Sequence, residues 1–381
     1  MAESRGAKRA VVIGGGLVGA ACAEMLSRRG CRVTVVESGV VGGGATAAGM
    51  GHLVVMDDSP AQLALTSRSL ELWETLAPQL PARAEYRRCG TVWVAQDDEE
   101  LSGVLPKRAA YHAAGREAEL LGAAELARLE PDLRPGLAGG LRVPGDSVVY
   151  APVVARFLLE RAGAEVVHGR AVALVPGGVQ LADGRVLRAD LTVVAAGIQA
   201  TELLPELPLR PRRGQLVITE RTGSLPGARV NHQLVELGYL KSAHGSDEDS
   251  VAFNVQPRAT GQLLIGSSRQ FSSSHSGAEI DWPLLRRMLD RAVEYLPGLR
   301  HSAALRVWTG LRAASPDHLP IIGAHPERAG VYLAAGHEGL GITTALGTAE
   351  ILAAELGGAP SPLSAHDFGA RRAGLRQAAH A

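Results

Sequence analysis

The sequence predicts a mixed α/β (α+β) fold that combines a nucleotide-binding domain with a discontinuous, strand-rich antiparallel domain. Three regions support this prediction. Residues 9–37 have the pattern of a strand, a glycine turn, a helix and a second strand; residues 214–269 are rich in strand patterns; and residues 331–356 have the pattern of a strand, a glycine loop and a helix. Strand–helix–strand units form parallel sheets, whereas successive short strands form antiparallel ones. We therefore expect two different sheets.

The composition is that of a globular chain of 381 residues, which is long enough for two domains. The 39 basic and 39 acidic residues balance, so we expect no nucleic-acid partner and no strong attraction to an anionic membrane. Cys22, Cys31 and Cys89 are too few for a disulfide framework or a four-thiolate metal site, which favours a cytoplasmic protein without a metal centre. Because no run of about 18 apolar residues occurs, we predict no transmembrane segment.

A glycine fingerprint lies between a predicted strand (9–13) and a predicted helix (17–29). Gly14, Gly16 and Gly19 match the pattern G-x-G-x-x-G. The first glycine permits a tight turn, the second lets the backbone approach a diphosphate, and the third lets the helix pack closely on the strand. The helix N-terminus then offers N–H groups and a partial positive charge to the phosphates. The unit therefore predicts a Rossmann-type dinucleotide site.

Glu37 ends the next predicted strand, at residues 32–37. An acidic residue at this position accepts hydrogen bonds from the adenosine ribose. The same carboxylate would repel a 2′-phosphate, which argues against NADP. The fingerprint and Glu37 together do not distinguish FAD from NAD.

Hydrophobic periodicity and turn residues predict the remaining elements. We expect a hairpin at Asp183-Gly184, no regular element in the glycine-rich stretch 39–51, and a charged helical stretch that ends near residue 126. The predicted helices span 60–76, 152–162, 284–295 and 346–356, and the predicted strands span 88–95, 164–167, 171–175, 191–195, 215–219, 238–241, 250–255, 262–266 and 331–335.

A series of motifs follows in a fixed order along nearly the whole chain: Glu37 with 42–51, then 191–197, 308–312, 315–323 and 335–343. These motifs resemble those of the FAD-dependent D-amino acid oxidase/glycine oxidase superfamily. Within it, residues 49–52, 238–244 and 253–258 look most like the bacterial D-hydroxyproline (cis-4-hydroxy-D-proline) dehydrogenases.

The resemblance implies a discontinuous FAD-binding domain. It comprises residues 1–85, 145–213 and 305–381, and the substrate-binding domain comprises 86–144 and 214–304. The glycine loop at 336–341 is expected to bring backbone N–H groups to the pyrimidine edge of the flavin, where negative charge builds up on reduction. The implied FAD-contacting residues are Gly14, Gly16, Leu17, Val18, Gly19, Glu37, Ser38, Gly44, Ala45, Thr46, Gly49, Met50, Gly51, Val172, Ala196, Gly197, Gly336, Glu338, Gly339, Leu340, Gly341, Ile342 and Thr343.

We expect the FAD to be bound noncovalently. Some relatives attach the flavin to a cysteine in the C-terminal part of the chain, but no cysteine follows Cys89 here. Others use a histidine in the region that corresponds to residues 46–48, and this chain has none there.

The resemblance also implies a site for a small amino acid. Arg312 resembles the arginine that binds the substrate carboxylate, because its planar guanidinium matches a carboxylate with two charge-assisted hydrogen bonds; a structural arginine is the alternative. His52 and His337 are expected near the flavin ring. There they would tune the reactivity of the flavin, contact the substrate or serve as structural histidines. Tyr239, Lys241 and Asn254 are predicted on strands that line the substrate cavity, or as scaffold if they face away.

Three functional hypotheses follow from this resemblance. The first is an amino acid dehydrogenase for hydroxy-D-proline or D-proline that passes electrons to a partner subunit or a quinone, with peripheral membrane association through that partner. The second is an oxidase for glycine, sarcosine or another D-amino acid that uses O₂. The third is a flavin-holding electron-relay subunit of a multi-subunit dehydrogenase; an intact Arg312 argues against it.

Overall fold

The computed structural model describes residues 7–223, 225–238, 249–272, 279–358, 360–372 and 375. Helices in these residues are α1 (Leu17–Arg28), α2 (Gly44–Ala48), α3 (Pro60–Leu76), α4 (Asp98–Ser102), α5 (Val104–Ala113), α6 (Ala123–Leu129), α7 (Ala151–Ala162), α8 (Ala200–Leu203), α9 (Trp282–Tyr295) and α10 (Gly341–Glu355). Strands are β1 (Arg9–Ile13), β2 (Arg32–Glu37), β3 (His52–Leu53), β4 (Thr91–Ala95), β5 (Glu119–Gly122), β6 (Gly139–Val143), β7 (Ser147–Val148), β8 (Glu165–His168), β9 (Ala171–Val175), β10 (Gly178–Leu181), β11 (Val186–Arg188), β12 (Leu191–Val194), β13 (Arg210–Arg221), β14 (Gln233–Glu236), β15 (Ser250–Pro257), β16 (Gln262–Phe271), β17 (Ala304–Ala314), β18 (Ile321–Ala324) and β19 (Val331–Ala335).

A six-stranded sheet forms the nucleotide-binding part, in the order β18-β19-β12-β1-β2-β8. Its strands pair in parallel except for β18, which runs antiparallel to β19. Runs of β-branched and aliphatic residues fill β1 and β12, which are buried as expected for central parallel strands. Helix α1 packs against α7 and α10 to cover the sheet. The mixed α/β prediction is confirmed.

An eight-stranded sheet forms the second layer, in the order β17-β13-β16-β15-β14-β4-β6-β5. Helix α9 covers one face of it through Leu285, Met288 and Ala292, and the ring of Tyr295 stacks on that of Phe253 at 4.3 Å. The eight strands form seven neighbouring pairs. All are antiparallel except β14 with β4, which is parallel. The prediction of a strand-rich antiparallel domain is confirmed, with one parallel pair where a long stretch of chain separates β4 from β14.

Several predicted elements differ from the observed ones. The charged stretch expected to be helical is divided into α4, α5, the strand β5 and α6. Its glycines explain the interruption, since Gly115 adopts a positive φ and Gly122 caps the start of α6. The stretch 39–51, expected to be irregular, contains the short helix α2. The strand predicted at 238–241 lies almost wholly outside the described residues.

The division of the chain into two domains also differs in detail from the sheets. Strand β17 forms the edge of the eight-stranded sheet, next to β13, whereas the sequence places residues 305–381 with the nucleotide-binding part. Residues 305–314 therefore belong to the eight-stranded sheet and not to the six-stranded one. Among the described residues no helix is both long and apolar enough to cross a membrane.

Candidate flavin and substrate site

A cleft of about 610 Å³ is lined by residues of both sheets. Its volume falls within the range of about 300–1,000 Å³ that is usual for small-molecule sites. One end is formed by the turn after β1, the end of β2 and helix α2; the other is formed by β13, β15, β16, β17 and the loop at 336–342. The carboxyl ends of β1 and β2 therefore open into the same space as the large sheet.

The glycine fingerprint has the geometry that the sequence predicts. Gly14 has a φ of +106°, and a Cβ there would lie 2.4 Å from the carbonyl oxygen of Ala195. A Cβ on Gly19 would lie 2.0 Å from the carbonyl oxygen of Gly14, so this glycine serves helix packing and does not line the cleft. Helix α1 is capped by Gly16, which offers no side chain, so the first turn faces the cleft with its backbone.

Glu37 organises the turn beside that helix. Its Oε2 accepts a hydrogen bond from the backbone N–H of Gly15, and its Oε1 accepts one from Gly39, both at 2.7 Å. Thr46 of α2 accepts a hydrogen bond from the backbone N–H of Leu17 through its Oγ1, at 3.0 Å. The first loop, the end of β2 and α2 are thus joined into one wall of the cleft.

The loop at 336–341 closes the other side of the cleft. Gly336 and Glu338 have φ values of +74° and +47°, and the N–H of Glu338 donates to the carbonyl oxygen of Ala313 at 3.0 Å. The carboxylate of Glu338 is held by Arg212 at 2.7 Å and by His318 at 3.2 Å. Burial disfavours its charge, but the hydrogen bond from His318 and the charge of Arg212 lower the pKa of Glu338 to about 2. The ion pairs therefore fix the strained loop.

Both predicted histidines line the cleft and are neutral near pH 7. Burial lowers the pKa of His337 to about 4, and its Nε2 lies 2.9 Å from the hydroxyl of Thr348. Burial also lowers the pKa of His52 to about 4, and a hydrogen bond with Gln256 partly opposes this shift. Neither side chain adds positive charge to the cleft.

Arg312 supplies a cation at the sheet end. It lies on β17, and its Nη1 donates to the carbonyl oxygen of Ser268 at 3.2 Å. A Cβ at Gly214 on the neighbouring strand would lie 2.5 Å from Nη1 and 2.6 Å from Nη2. Gly214 therefore provides the space that the guanidinium occupies. Gly310 has a similar role, since a Cβ there would lie 2.3 Å from the Cβ of Ala48 in α2.

Two buried polar side chains line the same end of the cleft. Asn254 on β15 and Ser267 on β16 are 6% and 5% exposed. The Oδ1 of Asn254 and the Oγ of Ser267 have no hydrogen-bond partner in the part of the chain that the structure describes. Met50 and Leu216, both buried, are the apolar neighbours.

The cleft brings together most of the predicted site residues, but not all. The side chain of Val172 is 43% exposed and outside the cleft, where Arg170 and Ala171 lie instead. Thr343 is buried behind it and donates its hydroxyl hydrogen to the carbonyl oxygen of His52 at 3.0 Å. Tyr239 and Lys241 lie outside the described residues. The predicted residues in the lining are Gly14, Gly16, Leu17, Val18, Glu37, Ser38, Gly44, Ala45, Thr46, Gly49, Met50, Gly51, His52, Ala196, Gly197, Asn254, Arg312, Gly336, His337, Glu338, Gly339, Gly341 and Ile342, whereas Gly19, Val172, Leu340 and Thr343 are not in it.

Sequence reasoning missed Gly214, Ser267 and Arg170 among the lining residues. Gly214 could have been found as a glycine inside a predicted strand region, where a close approach of other atoms is a common cause. Nothing in the sequence distinguishes Ser267 from its neighbour Ser268.

The residues present fit an FAD. The glycine-lined turn and the N-terminus of α1 suit a diphosphate, and the Glu37 carboxylate lies where a ribose would follow. The cleft then continues past α2 to the loop at 336–341 and Arg312. The fold and the cleft therefore define a protein of the dinucleotide-binding class, in which the fingerprint, α2 and the loop at 336–341 would hold an FAD.

Comparison with known proteins agrees with this class. Residues 9–355 match the DAO family of FAD dependent oxidoreductases. A glycine oxidase from Geobacillus kaustophilus is 28% identical over 352 residues, which are 87% of this chain and 88% of that protein. The hydrogen cyanide synthase subunit HcnC from Pseudomonas aeruginosa is 29% identical, with 90% of each chain covered. The crystal structure of the Geobacillus enzyme superposes with a TM-score of 0.84 and 25% identity over 96% of this chain and 99% of that one.

This chain belongs to the DAO family of FAD dependent oxidoreductases. FAD is its cofactor, as the sequence predicts. The predicted enzyme class, an FAD-dependent dehydrogenase or oxidase that acts on CH–NH donors, is confirmed.

Proposed function

We propose that this enzyme oxidises a small α-amino acid, with hydroxy-D-proline or D-proline as the first candidate, and that Arg312 binds the substrate carboxylate. The observation that carries the proposal is the position of Arg312. It lines the cleft at the sheet end, and Gly214 leaves room for its guanidinium. A carboxylate bound there forms charge-assisted hydrogen bonds of about 1.5–3 kcal/mol each.

The roles of the other residues follow from their charges. The neutral His52 and His337 leave Arg312 as the cation that lines this end among the described residues, which directs an anionic group toward β17. The buried Met50 and Leu216 exclude water from the reacting carbon.

FAD, when bound, accepts a hydride from the substrate Cα. The described cleft supplies positioning and requires no dedicated side-chain base, because the neutral amine provides the electron pair that forms the imine. One proton leaves the substrate nitrogen when the ammonium form is converted to that neutral amine. Loss of the hydride leaves an iminium ion, which loses a second proton to solvent and becomes the imine. Water then hydrolyses the imine of a linear amino acid, whereas the cyclic imine of a proline persists.

The electron acceptor divides this proposal into two variants. The relationship to glycine oxidases supports an oxidase that reacts with glycine or sarcosine and O₂. The relationship to HcnC, which is named as a subunit, supports a dehydrogenase that passes electrons to a partner subunit or a quinone. We favour the dehydrogenase variant, and we place the enzyme in the cytoplasm, where only its partner would reach a membrane. An electron-relay subunit without a substrate is the remaining alternative.

The test is anaerobic reduction of the FAD-loaded protein. D-proline, cis-4-hydroxy-D-proline, glycine, sarcosine and the L-enantiomers are mixed separately with it, and loss of flavin absorbance is followed. We expect rapid bleaching by at least one of these amino acids. If none of them bleaches the flavin, the proposed function is wrong. Oxygen consumption with the best substrate then separates the oxidase from the dehydrogenase.

A further inference from the structure

We propose that Glu338 is a positioning residue, which neutralises Arg212 so that a substrate carboxylate is bound by Arg312 alone. The inference rests on the proposed function, because it concerns the carboxylate site of the same cleft. It goes beyond that function in assigning a task to a side chain that has the same charge as the group to be bound.

Two arginines lie opposite each other on the large sheet. Arg212 on β13 is the partner of Arg312 on β17 in the antiparallel register of these strands. Directly opposite residues of an antiparallel pair have their side chains on the same face, with Cβ atoms about 4.5–5.5 Å apart. Like charges at such positions repel each other. The sheet therefore places two guanidinium groups side by side on the face that carries Arg312.

The loop at 336–341 contacts both arginines through adjacent residues. The Oε1 of Glu338 lies 2.7 Å from Nη1 of Arg212, which is 3% exposed. A Cβ at Gly339 would lie 3.9 Å from Cδ and Nε of Arg312, which is partly exposed and lines the cleft. Glu338 therefore neutralises the buried arginine. Gly339 brings no carboxylate to the arginine in the cleft.

The Glu338 carboxylate is held in place and stays charged. Its Oε2 lies 3.2 Å from Nδ1 of His318, and the backbone N–H of Glu338 donates to the carbonyl oxygen of Ala313 at 3.0 Å. Burial opposes its charge, but His318 and Arg212 lower the pKa of Glu338 to about 2. The charge of Arg212 is therefore cancelled at neutral pH.

A second uncompensated cation beside Arg312 would disturb the orientation of the substrate. One planar guanidinium fixes a carboxylate with two parallel N–H groups. If Arg212 were not neutralised, the anion would be attracted to both guanidinium groups, and its Cα–H would no longer be held in one place. The affinity would be kept, whereas fewer of the complexes would be productive. Because positioning supplies much of the rate, Glu338 serves the rate and not the affinity.

The experiment measures affinity and rate separately. Glu338→Gln keeps the shape of the side chain but removes its charge, and a double variant with Arg212→Met and Glu338→Gln removes both charges. The FAD-loaded proteins are reduced anaerobically by the amino acid that bleaches the parent protein. In Glu338→Gln we expect the limiting rate constant of flavin reduction to fall about tenfold, while Kd rises by no more than about twofold. In the double variant the rate constant should return to within about threefold of the parent value.

The single variant Arg212→Met gives the opposite result if the inference is right. It leaves the buried Glu338 carboxylate uncompensated beside Arg312. That carboxylate repels the carboxylate of the substrate, so we expect Kd to rise about tenfold. The same variant tests the inference if Glu338→Gln does not hold FAD, and an unchanged Kd would then overturn it.

Glu236→Gln is the matched control. Glu236 is a buried carboxylate on β14 of the same sheet, it is paired with Arg291 of α9, and it is not among the residues that line the cleft. Its replacement also takes a buried carboxylate from an arginine, so we expect a lower free energy of unfolding in urea without a change in the limiting rate constant. The FAD content and absorption spectrum of each variant show whether it is folded and loaded.

The inference and the proposed function fail in different ways. A double variant that is reduced as slowly as Glu338→Gln would overturn the inference, because Glu338 would then act by holding the loop and not by neutralising Arg212. An unchanged rate constant in Glu338→Gln would overturn it as well, and both results leave amino acid oxidation intact. If no amino acid bleaches the parent protein, the proposed function fails and the inference fails with it.

Discussion

The two ends of the cleft are built by different means. At the nucleotide end the fingerprint comes from one short stretch of chain, in which Gly14, Gly16 and Glu37 shape the backbone. At the substrate end the side chains come from separate strands, and Arg312 depends on a glycine about a hundred positions earlier in the chain. A local sequence motif therefore defines the cofactor end, whereas the register of a sheet defines the substrate end.

The largest predicted effect is a loss of FAD affinity that leaves the substrate end of the cleft unchanged. In Gly14→Ala the added Cβ would overlap the carbonyl oxygen of Ala195, at 2.4 Å in a positive-φ position. An overlap of this kind costs about 3 kcal/mol or more, so we expect FAD affinity to fall by about 100-fold. Titration of the apoprotein with FAD measures this. Gly30→Ala, which has a positive φ but no atoms nearby, should cost about 1 kcal/mol of stability and leave FAD affinity unchanged.

The second prediction breaks the substrate end alone. In Gly214→Ala the new methyl group would occupy the position of the Arg312 guanidinium. The flexible side chain should move aside, so the protein stays yellow while the Kd of the reducing amino acid rises by about tenfold. Stopped-flow reduction measures the Kd. Gly223→Ala has no atoms within 4 Å of its added Cβ and should change nothing; a similar loss in both variants would argue against a specific role for Gly214.

The third prediction concerns pH and involves both neutral histidines. Burial lowers the pKa of His52 and His337 from 6.5 to about 4. Between these values each of the two histidines binds a proton in the unfolded chain but not in the native chain, so their contribution to the free energy of unfolding falls as the pH drops from about 6.5 to about 4. Burial raises the pKa of Asp146 from 3.8 to about 7, so Asp146 is protonated only in the native chain over this window and offsets about one histidine. Each histidine contributes up to about 1.4 kcal/mol per pH unit in this window.

Urea unfolding at fixed FAD concentration tests this prediction. His337→Gln should show a shallower loss of stability across the window, since one of the two groups no longer titrates. His366→Gln, whose side chain is 91% exposed, is the control and should follow the parent protein. If His337→Gln lost as much stability as the parent protein between pH 6.5 and pH 4.5, the neutral state of His337 would be contradicted.

The smallest predicted effect concerns which residue, Ala171 or Val172, borders the cofactor end of the cleft. Val172 is largely outside the cleft, whereas Ala171 lines it. We expect Val172→Ala to change FAD affinity by no more than about twofold, and Ala171→Leu to weaken it more. Titration with FAD measures both. The opposite order would restore Val172 as the residue that contacts adenine.

The contrast between the two ends also explains what the sequence could predict. Strands β1, β2 and β19 have their predicted bounds, because alternation, glycine turns and burial act over a few residues. For the same reason Gly14, Gly16 and Glu37 of the fingerprint unit all line the cleft, and their contacts with FAD stay a prediction. The place of Ser267 in the cleft could not be assigned, and the side chain for which Gly214 leaves room could not be named, because both depend on how β13, β16 and β17 pair. The contact of Val172 with adenine stays a prediction: the lining contains the neighbouring Ala171, and the facing of a strand residue depends on tertiary contacts that the local pattern does not specify.

The most direct measurement is the anaerobic reduction of Arg312→Ala by the amino acid that bleaches the parent protein. Removing the guanidinium takes away the carboxylate contacts and leaves the FAD end intact, so FAD affinity should be unchanged while the Kd of the amino acid rises at least tenfold. Arg312→Lys should give an intermediate Kd, because a point charge replaces the bidentate fork. A Kd equal to that of the parent protein would contradict the carboxylate role of Arg312.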